Sequence, residues 1–430
     1  MAAETKLTGP DLVRGVDAGA LQDGAKLLGH ANGEAVLLAR VADELFAIGA
    51  TCTHYSGPLA EGVIDGDTVR CPWHHACFSL RTGEALRAPA LNPVACWTVE
   101  RRGATIAVTK KVERDALAPS FPVHIDRALW PRDVVIIGAG AAGSAAAEML
   151  RRCGFDGRTT VVDAEHDAPY DRPNLSKDYL AGNAPEDWIP LRPRDFYDAH
   201  DIRVLRAEAT HVDIDKKRVE LAGAAPLSFD ALVLATGADP VHIRLRGDDA
   251  SHVHYLRSLA DSRAIIAGAK LASRAVVMGA SFIGLEVAAS LRTRNVEVHV
   301  VAPEKLPLER VMGPQLGAFI RGLHEEKGVV FHLERTAQRI EADAVILDDG
   351  TRIAADLVVI GVGVRPRVGL AERSGLVIDR GVAVNAHLET SVPGIFVAGD
   401  VRHRSAKGVT SGVGEGAMAV KLVHQYLSQT

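Results

Sequence analysis

Residues 134–143, VVIIGAGAAG, join a run of apolar residues to three glycines, and residues 275–284, AVVMGASFIG, repeat the arrangement. An apolar strand, a glycine-rich turn and a following helix are typical of the start of a dinucleotide-binding fold. In the first unit Gly138 permits the tight turn, Gly140 lets a pyrophosphate approach the backbone, and Gly143 allows close packing of the helix on the strand. The two copies predict two nucleotide-binding folds of the α/β class.

An acidic residue is expected after the second strand of each unit, where its carboxylate accepts hydrogen bonds from the ribose of an adenosine. In the first unit the predicted strand at residues 159–162 leads into Asp163 and Glu165, and either carboxylate fits this role. The alternative interpretation is a surface acid that follows a strand and binds nothing.

The second unit departs from the glycine pattern at its middle position. Gly279 and Gly284 hold the outer positions, and Ser281 stands between them, which still permits a close backbone approach. The strand at residues 296–301 leads toward Glu304, whose carboxylate would accept from a ribose 2′-hydroxyl and repel a 2′-phosphate. This pattern predicts NADH rather than NADPH, although Glu304 lies slightly beyond the usual position.

The order of the predicted elements indicates that the second nucleotide-binding fold is inserted into the first. An apolar strand within residues 231–237 precedes the second unit, and another apolar segment at 395–400 follows it. Before residue 110, short β-rich runs at 35–39, 44–48 and 105–108 predict a small antiparallel β domain. The predicted organisation is a β domain at 1–110, a proline-punctuated linker at 111–131, a first nucleotide-binding domain at 132–255 and 375–430, and a second at 256–374.

Two cysteine and histidine pairs in the β domain have the spacing of a metal site. Cys52-Thr-His54 and Cys71-Pro-Trp-His74 are separated by sixteen residues. A Rieske [2Fe-2S] centre needs two thiolates on one iron and two imidazoles on the other, one pair from each of two loops. The same residues also suit a zinc ion, and unliganded buried side chains are the third interpretation. The matched spacing favours the Rieske centre.

Residues 7–109 resemble the Rieske ferredoxin family, most clearly at CPWHHACF, residues 71–78. High-potential members of that family carry a disulfide between the two ligand loops, and Gly57 and Trp73 stand where those cysteines are expected. The resemblance therefore implies a potential in the lower part of the Rieske range. His75 replaces the usual glycine of the family, as a neighbour of the cluster rather than a ligand.

From residue 133 onward the chain resembles the pyridine-nucleotide-dependent flavoprotein reductases, especially ferredoxin reductases of oxygenase systems and apoptosis-inducing-factor-like proteins. The motifs that carry this resemblance are PYDRPNLSK at 169–177, ATG at 235–237, GVGVRP at 361–366 and AGD at 398–400. It implies a multidomain chain, in which the Rieske domain precedes a glutathione-reductase-like α/β fold that binds FAD in its first domain and NAD(P)H in its second. The resemblance implies FAD contacts from Arg172, Thr236, Gly237 and Asp400, with Asp400 holding the ribityl chain.

By the same resemblance, Lys177 lies beside the N5 edge of the flavin and pairs with Glu286, which follows the second glycine turn where the nicotinamide stacks. A buried ion pair is costly unless it is well hydrogen-bonded. Its presence at this edge would predict a role in orienting the ring and balancing charge. A solvent-exposed pair of no consequence is the alternative.

The whole layout resembles the Rieske-containing branch of the apoptosis-inducing-factor-like family. It implies an oxidoreductase that passes electrons from NADH through FAD to its own cluster and on to an unknown acceptor, which is an oxygenase component, a cytochrome or a small molecule. An NADH-responsive redox sensor is the alternative. A disulfide or peroxide reductase would need a CxxC motif or a cysteine at the flavin, and the sequence offers lysine there.

Composition and charge exclude several other classes. With 47% hydrophobic and 24% charged residues and a net charge of −5, the chain is expected to be globular and not to bind nucleic acid. It shows neither a leader sequence nor an apolar run of spanning length, so we expect a cytoplasmic protein without a membrane span. Cys77, Cys96 and Cys153 have no paired spacing and are expected to be small buried hydrophobes.

Related reductases usually continue with a further C-terminal domain that covers the flavin, and this sequence stops at Thr430. A tethered domain has a high effective concentration at its docking site. We therefore expect the cluster edge at His54 and His74 to dock toward the flavin, either within one chain or between the chains of a homodimer.

Overall fold

The computed structural model describes residues 7–87, 89–112, 131–193, 195–405 and 409–427. Most of the predicted linker at 111–131 lies outside these residues. The N-terminal part forms two antiparallel sheets, because short apolar runs separated by tight turns favour hairpins. The larger sheet has the strand order Val16–Asp17, Thr105–Val112, Cys96–Arg102, Glu44–Gly49, Glu34–Val41 and Lys26–Ala31. The smaller sheet contains Val63–Asp65, Thr68–Arg70, Cys77–Ser79 and Ala85–Arg87. The predicted β domain is confirmed.

A parallel five-stranded sheet follows, and its central strands are almost entirely apolar because both faces of the sheet are covered there. Its strand order is Ile202–Arg206, Arg158–Asp163, Asp133–Ile137, Ala231–Leu234 and Ile395–Val397. The last two strands pair in parallel although the second nucleotide-binding unit lies between them in sequence. One sheet thus contains strands from both sides of the second unit.

The first glycine turn lies where this sheet meets the helix Ala141–Arg152. Gly138 has a φ of 104°, in the left-handed region that favours glycine. A Cβ atom at Gly143 would overlap the carbonyl oxygen of Gly138, whereas a Cβ at Gly140 would meet nothing within 4 Å. Gly143 therefore serves helix–strand packing, and Gly140 leaves open space above the turn, as the sequence pattern predicts.

The second parallel sheet has the order Val253–Tyr255, Leu357–Ile360, Arg274–Met278, Glu297–Ala302 and Val329–Leu333. The glycine turn of this sheet has the same geometry as the first turn. Gly279 has a φ of 109°, and a Cβ atom at Gly284 would overlap the carbonyl oxygen of Gly279. The strand Val253–Tyr255 belongs to this sheet, so the sheet begins three residues before the predicted boundary at 256.

Smaller strands and helices complete the two nucleotide-binding folds. The remaining strands are Ala209–Asp213, Arg218–Leu221, Ala224–Ser228, Ala238–Pro240, Ala337–Glu341, Ala344–Leu347, Arg352–Ala354 and Val364–Pro366. The remaining α-helices are Asp178–Ala181, Phe196–Ala199, Leu259–Ala269, Phe282–Thr293, Glu309–Met312, Pro314–Glu326, Gly369–Arg373 and Val409–Leu427. Short 3₁₀ helices span Ala18–Ala20, Leu59–Glu61, Arg172–Ser176 and Glu186–Trp188. Within the described ranges, no helix has the length and apolar character needed to cross a membrane.

Candidate functional site

Two loops of the β domain present the predicted cluster ligands on matching backbone. In the first loop the amide of Cys52 donates to the carbonyl oxygen of Gly57, at 2.8 Å. In the second loop the amide of Cys71 donates to the carbonyl oxygen of Ala76, also at 2.8 Å. Both cysteines are buried, at 2% and 1% exposure. The repeated hydrogen bond holds both thiols inward at equivalent positions.

Each loop also has one residue with a left-handed backbone conformation. It lies immediately before the residue whose carbonyl oxygen accepts the hydrogen bond from the cysteine amide. Ser56 in the first loop and His75 in the second each have a φ of 60°. Glycine adopts this conformation without strain, which gives a physical reason for the glycine that the Rieske ferredoxin resemblance implies at position 75. The imidazole of His75 is exposed.

The two predicted histidine ligands lie next to each other. Their rings are 4.9 Å apart at 83°. Burial, together with the charge of His74, lowers the pKa of His54 to about 4, so its ring is neutral and free to bind a metal. The Nδ1 atom of His54 is buried without a hydrogen-bond partner among the described atoms. A buried polar atom of this kind is satisfied when it ligates an iron.

The surroundings of the cysteines also indicate whether an iron–sulfur cluster fits these loops. Burial raises the pKa of Cys52 to about 11, so a thiolate forms there only beside a strong positive charge such as iron. A Cβ atom at Gly57 would lie 2.6 Å from the Cys71 sulfur, so a larger residue does not fit. All five cysteines are free. The loops therefore suit a cluster and have no clamping disulfide.

The donor set bears on which metal group fits. The four side chains supply two thiols and two imidazoles from two loops, which is the set that the two irons of a Rieske cluster take.

A cavity of about 960 Å³ opens between the β domain and the first nucleotide-binding fold. This volume suits a large cofactor, since ligand pockets usually span about 300–1,000 Å³. Most predicted FAD and nicotinamide residues line it: Gly138, Gly140, Asp163, Glu165, Arg172, Lys177, Thr236, Gly237, Glu286 and Asp400. Open backbone at Gly140 and the N-terminus of the helix Ala141–Arg152 give the cavity a phosphate-binding end. The residues present therefore fit FAD.

Both candidate ribose acids face basic residues. Glu165 lies 2.9 Å from Arg172 and also accepts from the hydroxyl of Tyr170. Burial favours the neutral carboxyl, but Arg172 and Tyr170 outweigh it and lower the pKa of Glu165. Asp163 lies 3.2 Å from Arg206. Burial and the charge of Glu165 raise the pKa of Asp163. Glu165 is the more strongly ionised of the two.

Two arginines that lack a sequence motif belong to the same cavity. Arg257 lies 3.1 Å from the carboxylate of Asp400, and Arg367 donates to Asp239 at 2.6 Å. Arg257 follows the strand Val253–Tyr255, and nothing in its local sequence distinguishes it from a surface arginine. The pairing appears only when the second sheet packs against the first.

The predicted ion pair forms at the cavity. The Lys177 Nζ atom lies 3.0 Å from a carboxylate oxygen of Glu286. The hydroxyl of Ser176 donates to the same oxygen at 2.6 Å. The side chains of Lys177 and Glu286 are 48% and 30% exposed, so the pair is partly solvated rather than buried. Its role in hydride transfer stays a prediction.

The second nucleotide site is less defined. Glu304 lies two residues beyond the strand Glu297–Ala302, and its carboxylate is 3.8 Å from Arg310. Gly279, Gly284 and Glu304 do not line the cavity. The residues predicted to contact the nicotinamide, Lys177 and Glu286, thus lie in the same cavity as the predicted FAD residues. The residues predicted to contact the adenosine of the nicotinamide nucleotide lie outside this cavity.

The β domain closes one side of the cavity. Thr53, His54 and Tyr55 of the first ligand loop line it, together with Pro89, Leu91 and Asn92. Arg192 of the first nucleotide-binding fold donates to the carbonyl oxygen of Leu91 at 3.1 Å and to the side chain of Asn92. Arg192 also pairs with Glu148, and both side chains are buried, at 1% and 5% exposure. Sequence patterns do not reveal this network.

Comparison with known proteins agrees with this architecture. Residues 132–416 match the family described as "Pyridine nucleotide-disulphide oxidoreductase", and residues 14–98 match "Rieske [2Fe-2S] domain". The chain is 35% identical to "Apoptosis-inducing factor 3" of Mus musculus, over 85% of this chain and 62% of that protein. It is 38% identical to "Biphenyl dioxygenase system ferredoxin--NAD(+) reductase component" of Paraburkholderia xenovorans, over 62% of this chain and 67% of that protein.

A solved structure supports the same assignment. The chain matches the "covalent putidaredoxin reductase-putidaredoxin complex" with a TM-score of 0.65 and 34% identity, over 68% of this chain and 75% of that one. The chain spans 62% of the length of its apoptosis-inducing factor 3 relatives from mouse and human. The chain belongs to the pyridine nucleotide-disulphide oxidoreductase family, whose FAD- and pyridine-nucleotide-binding fold here follows an N-terminal Rieske [2Fe-2S] domain.

Proposed function

We propose that this protein oxidises NADH and passes the electrons through FAD to its own Rieske cluster and then to an external acceptor. One observation carries the proposal: His54, a cluster ligand, lines the same cavity as the residues that fit FAD. When bound, FAD accepts two electrons together and releases them singly, and the cluster carries one at a time. The shared cavity supports a direct route between the two groups.

Residues of the first fold hold the cofactor in this proposal. The open turn at Gly140 and the following helix would receive the pyrophosphate. Glu165 is kept ionised by Arg172 and would accept hydrogen bonds from the adenosine ribose. Asp400, beside Arg257, would accept from the ribityl hydroxyls. With these contacts made, Lys177 and Glu286 would remain available to the redox edge of the cofactor.

Lys177 and Glu286 orient the ring and the nicotinamide. Because Ser176 and Lys177 both approach Glu286, its carboxylate has one preferred position at the cavity. The partial exposure of the pair keeps its desolvation cost modest and leaves room for a nicotinamide to cover it. Closing that space excludes water from the site of hydride transfer.

Lys177→Ala and Glu286→Ala should each keep FAD but slow flavin reduction by NADH about tenfold to a hundredfold, the range of a misplaced reacting group. Stopped-flow absorbance of the flavin measures this rate. The matched control is Lys216→Ala, which removes an exposed lysine paired with Asp213 at 2.8 Å, outside the cavity. Reduction rates equal to the control in both variants would remove Lys177 and Glu286 from the mechanism.

The cofactor preference is the second expected outcome. If Glu304 reads the ribose 2′-hydroxyl, kcat/KM for NADH should exceed that for NADPH by about tenfold or more, a difference of about 1.4 kcal/mol. Glu304→Gln should narrow the preference for NADH, whereas Glu297→Gln, at the exposed start of the strand that precedes Glu304, should not. A preference for NADPH in the parent protein would show that another residue reads the ribose.

The external acceptor of this proposal is an oxygenase component, a cytochrome or a small molecule. Named relatives are ferredoxin–NAD(+) reductases of dioxygenase systems, which supports electron delivery to a one-electron protein partner. Turnover with cytochrome c or ferricyanide tests the activity: a reductase reoxidises rapidly and repeatedly. A protein that stays reduced beside excess acceptor would instead act as a redox sensor. We also propose a cytoplasmic location, which recovery in a membrane or exported fraction would contradict.

A further inference from the structure

Tyr55 follows the predicted cluster ligand His54, and its side chain contacts the first nucleotide-binding domain. Its ring centroid lies 4.1 Å from that of His54. Its hydroxyl donates to the carboxylate of Asp171 and accepts from the side-chain amide of Asn174 at 2.7 Å. Asp171 and Asn174 belong to the segment that leads to Lys177. One side chain therefore joins the edge of the cluster to the segment beside the flavin.

The two partners of Tyr55 are themselves fixed by the reductase backbone. The amide of Asp171 donates to the carbonyl oxygen of Ile189 at 2.8 Å. Asn174 is 4% exposed, and its side-chain oxygen accepts from the amide of Tyr179 at 2.8 Å. Because Asp171 and Asn174 are themselves held in place, their hydrogen bonds determine where the Tyr55 hydroxyl lies. A β domain shifted by a few ångströms would leave buried polar groups without partners.

The other neighbour of His54 is tied to the same surface by a separate route. The hydroxyl of Thr53 donates to the carbonyl oxygen of Asn92 at 2.6 Å, and the side chain of Asn92 accepts from Arg192. The residues on both sides of the ligand thus reach the reductase through hydrogen bonds. The Arg192 contact holds the β domain against the fold, and the Tyr55 contact sets the position of the ligand loop.

We infer that Tyr55 is a positioning residue for electron transfer within the chain, because its hydrogen bonds to Asp171 and Asn174 hold His54 at the flavin cavity. This inference rests on the proposed function. Each NADH supplies two electrons, and the route from the cavity to the cluster carries them one at a time. Tyr55 neither binds iron nor exchanges a proton in this role. It fixes the distance that each electron crosses.

Tyr55→Phe keeps the ring and removes the hydroxyl. After anaerobic mixing with NADH, its flavin should bleach at the parent rate, whereas its cluster, followed by freeze-quench EPR, should be reduced about tenfold more slowly. Hydrogen exchange should rise at residues 53–57 and 171–177. The control is Tyr179→Phe, which removes a hydroxyl that donates to Glu186 at 2.7 Å, a contact within the reductase alone.

The two readouts separate this inference from the proposed function. Parent-like cluster reduction together with parent-like exchange in Tyr55→Phe would overturn the positioning role. Slower reduction of the cluster, with an unchanged EPR line shape, iron content and rate of flavin reduction, would support the positioning role. Damage to the structure of the β domain would also alter those other properties. If NADH failed to reduce the cluster of the parent protein, the proposed function would fall. The exchange comparison would then still decide whether Tyr55 holds the docked loop, and unchanged exchange would overturn the inference.

Discussion

A Cys71→Ser variant will lose the Rieske EPR signal completely while it keeps FAD and its reduction by NADH. Cys71 is buried opposite Gly57, its replacement leaves the ligand set one thiolate short, and a serine hydroxyl is a poor iron ligand. The reductase folds around its own two sheets and hydrophobic cores. We therefore expect ferricyanide reduction from the flavin to remain within about twofold of the parent, a change of about 0.4 kcal/mol. Transfer to acceptors that take electrons from the cluster should be lost.

Cys77→Ser is the matched control for this experiment. Cys77 is also buried in the β domain, at 3% exposure, but its strand lies beyond the ligand loop. This variant should keep the EPR signal and every acceptor activity. If Cys71→Ser reduced all acceptors as fast as the parent does, the route from FAD through the cluster would be wrong.

The buried contacts of Arg192 with the β domain and with Glu148 should contribute strongly to the free energy of unfolding. Arg192→Met removes the cation that faces Glu148 and also the donor to Leu91 and Asn92. A buried carboxylate without its partner typically costs about 3–5 kcal/mol. We expect the free energy of unfolding, measured by urea titration of the holoprotein, to fall by about this amount. The double variant Arg192→Met with Glu148→Leu should recover much of the loss.

Arg158→Met provides the comparison for that measurement. Arg158 pairs with Asp133, but its side chain is 82% exposed. Exposed ion pairs contribute at most about 1 kcal/mol. Equal losses of stability in Arg158→Met and Arg192→Met would show that the buried network does not hold the domains together.

Local patterns in the sequence account for most of the fold. The glycine turns at 138–143 and 279–284 depend on backbone conformation within a few residues, and the structure has both. The ligand spacing at Cys52, His54, Cys71 and His74 likewise predicts two loops that face each other. The apolar segments on either side of the second unit likewise predict that the first fold has strands from both parts of the chain.

The rest of the site depends on contacts between distant segments. The pairing of Arg257 with Asp400 joins residues 143 positions apart, and the hydrogen bond from Tyr55 to Asp171 joins two domains. Asp400 and Asp171 belong to sequence motifs, but no local pattern distinguishes their partners Arg257 and Tyr55 from surface residues. The partial exposure of Lys177 was also beyond a sequence prediction, since it depends on how the second fold closes over the first.

Anaerobic titration of the holoprotein with NADH tests the central claim most directly. Flavin absorbance and the EPR signal of the reduced Rieske cluster are followed in the same sample, with Cys71→Ser as the control that has flavin and no cluster. We expect the flavin to bleach and the cluster signal to appear without any added carrier. Bleached flavin with a cluster that stays oxidised after long incubation with excess NADH would show that electrons do not pass from FAD to the cluster.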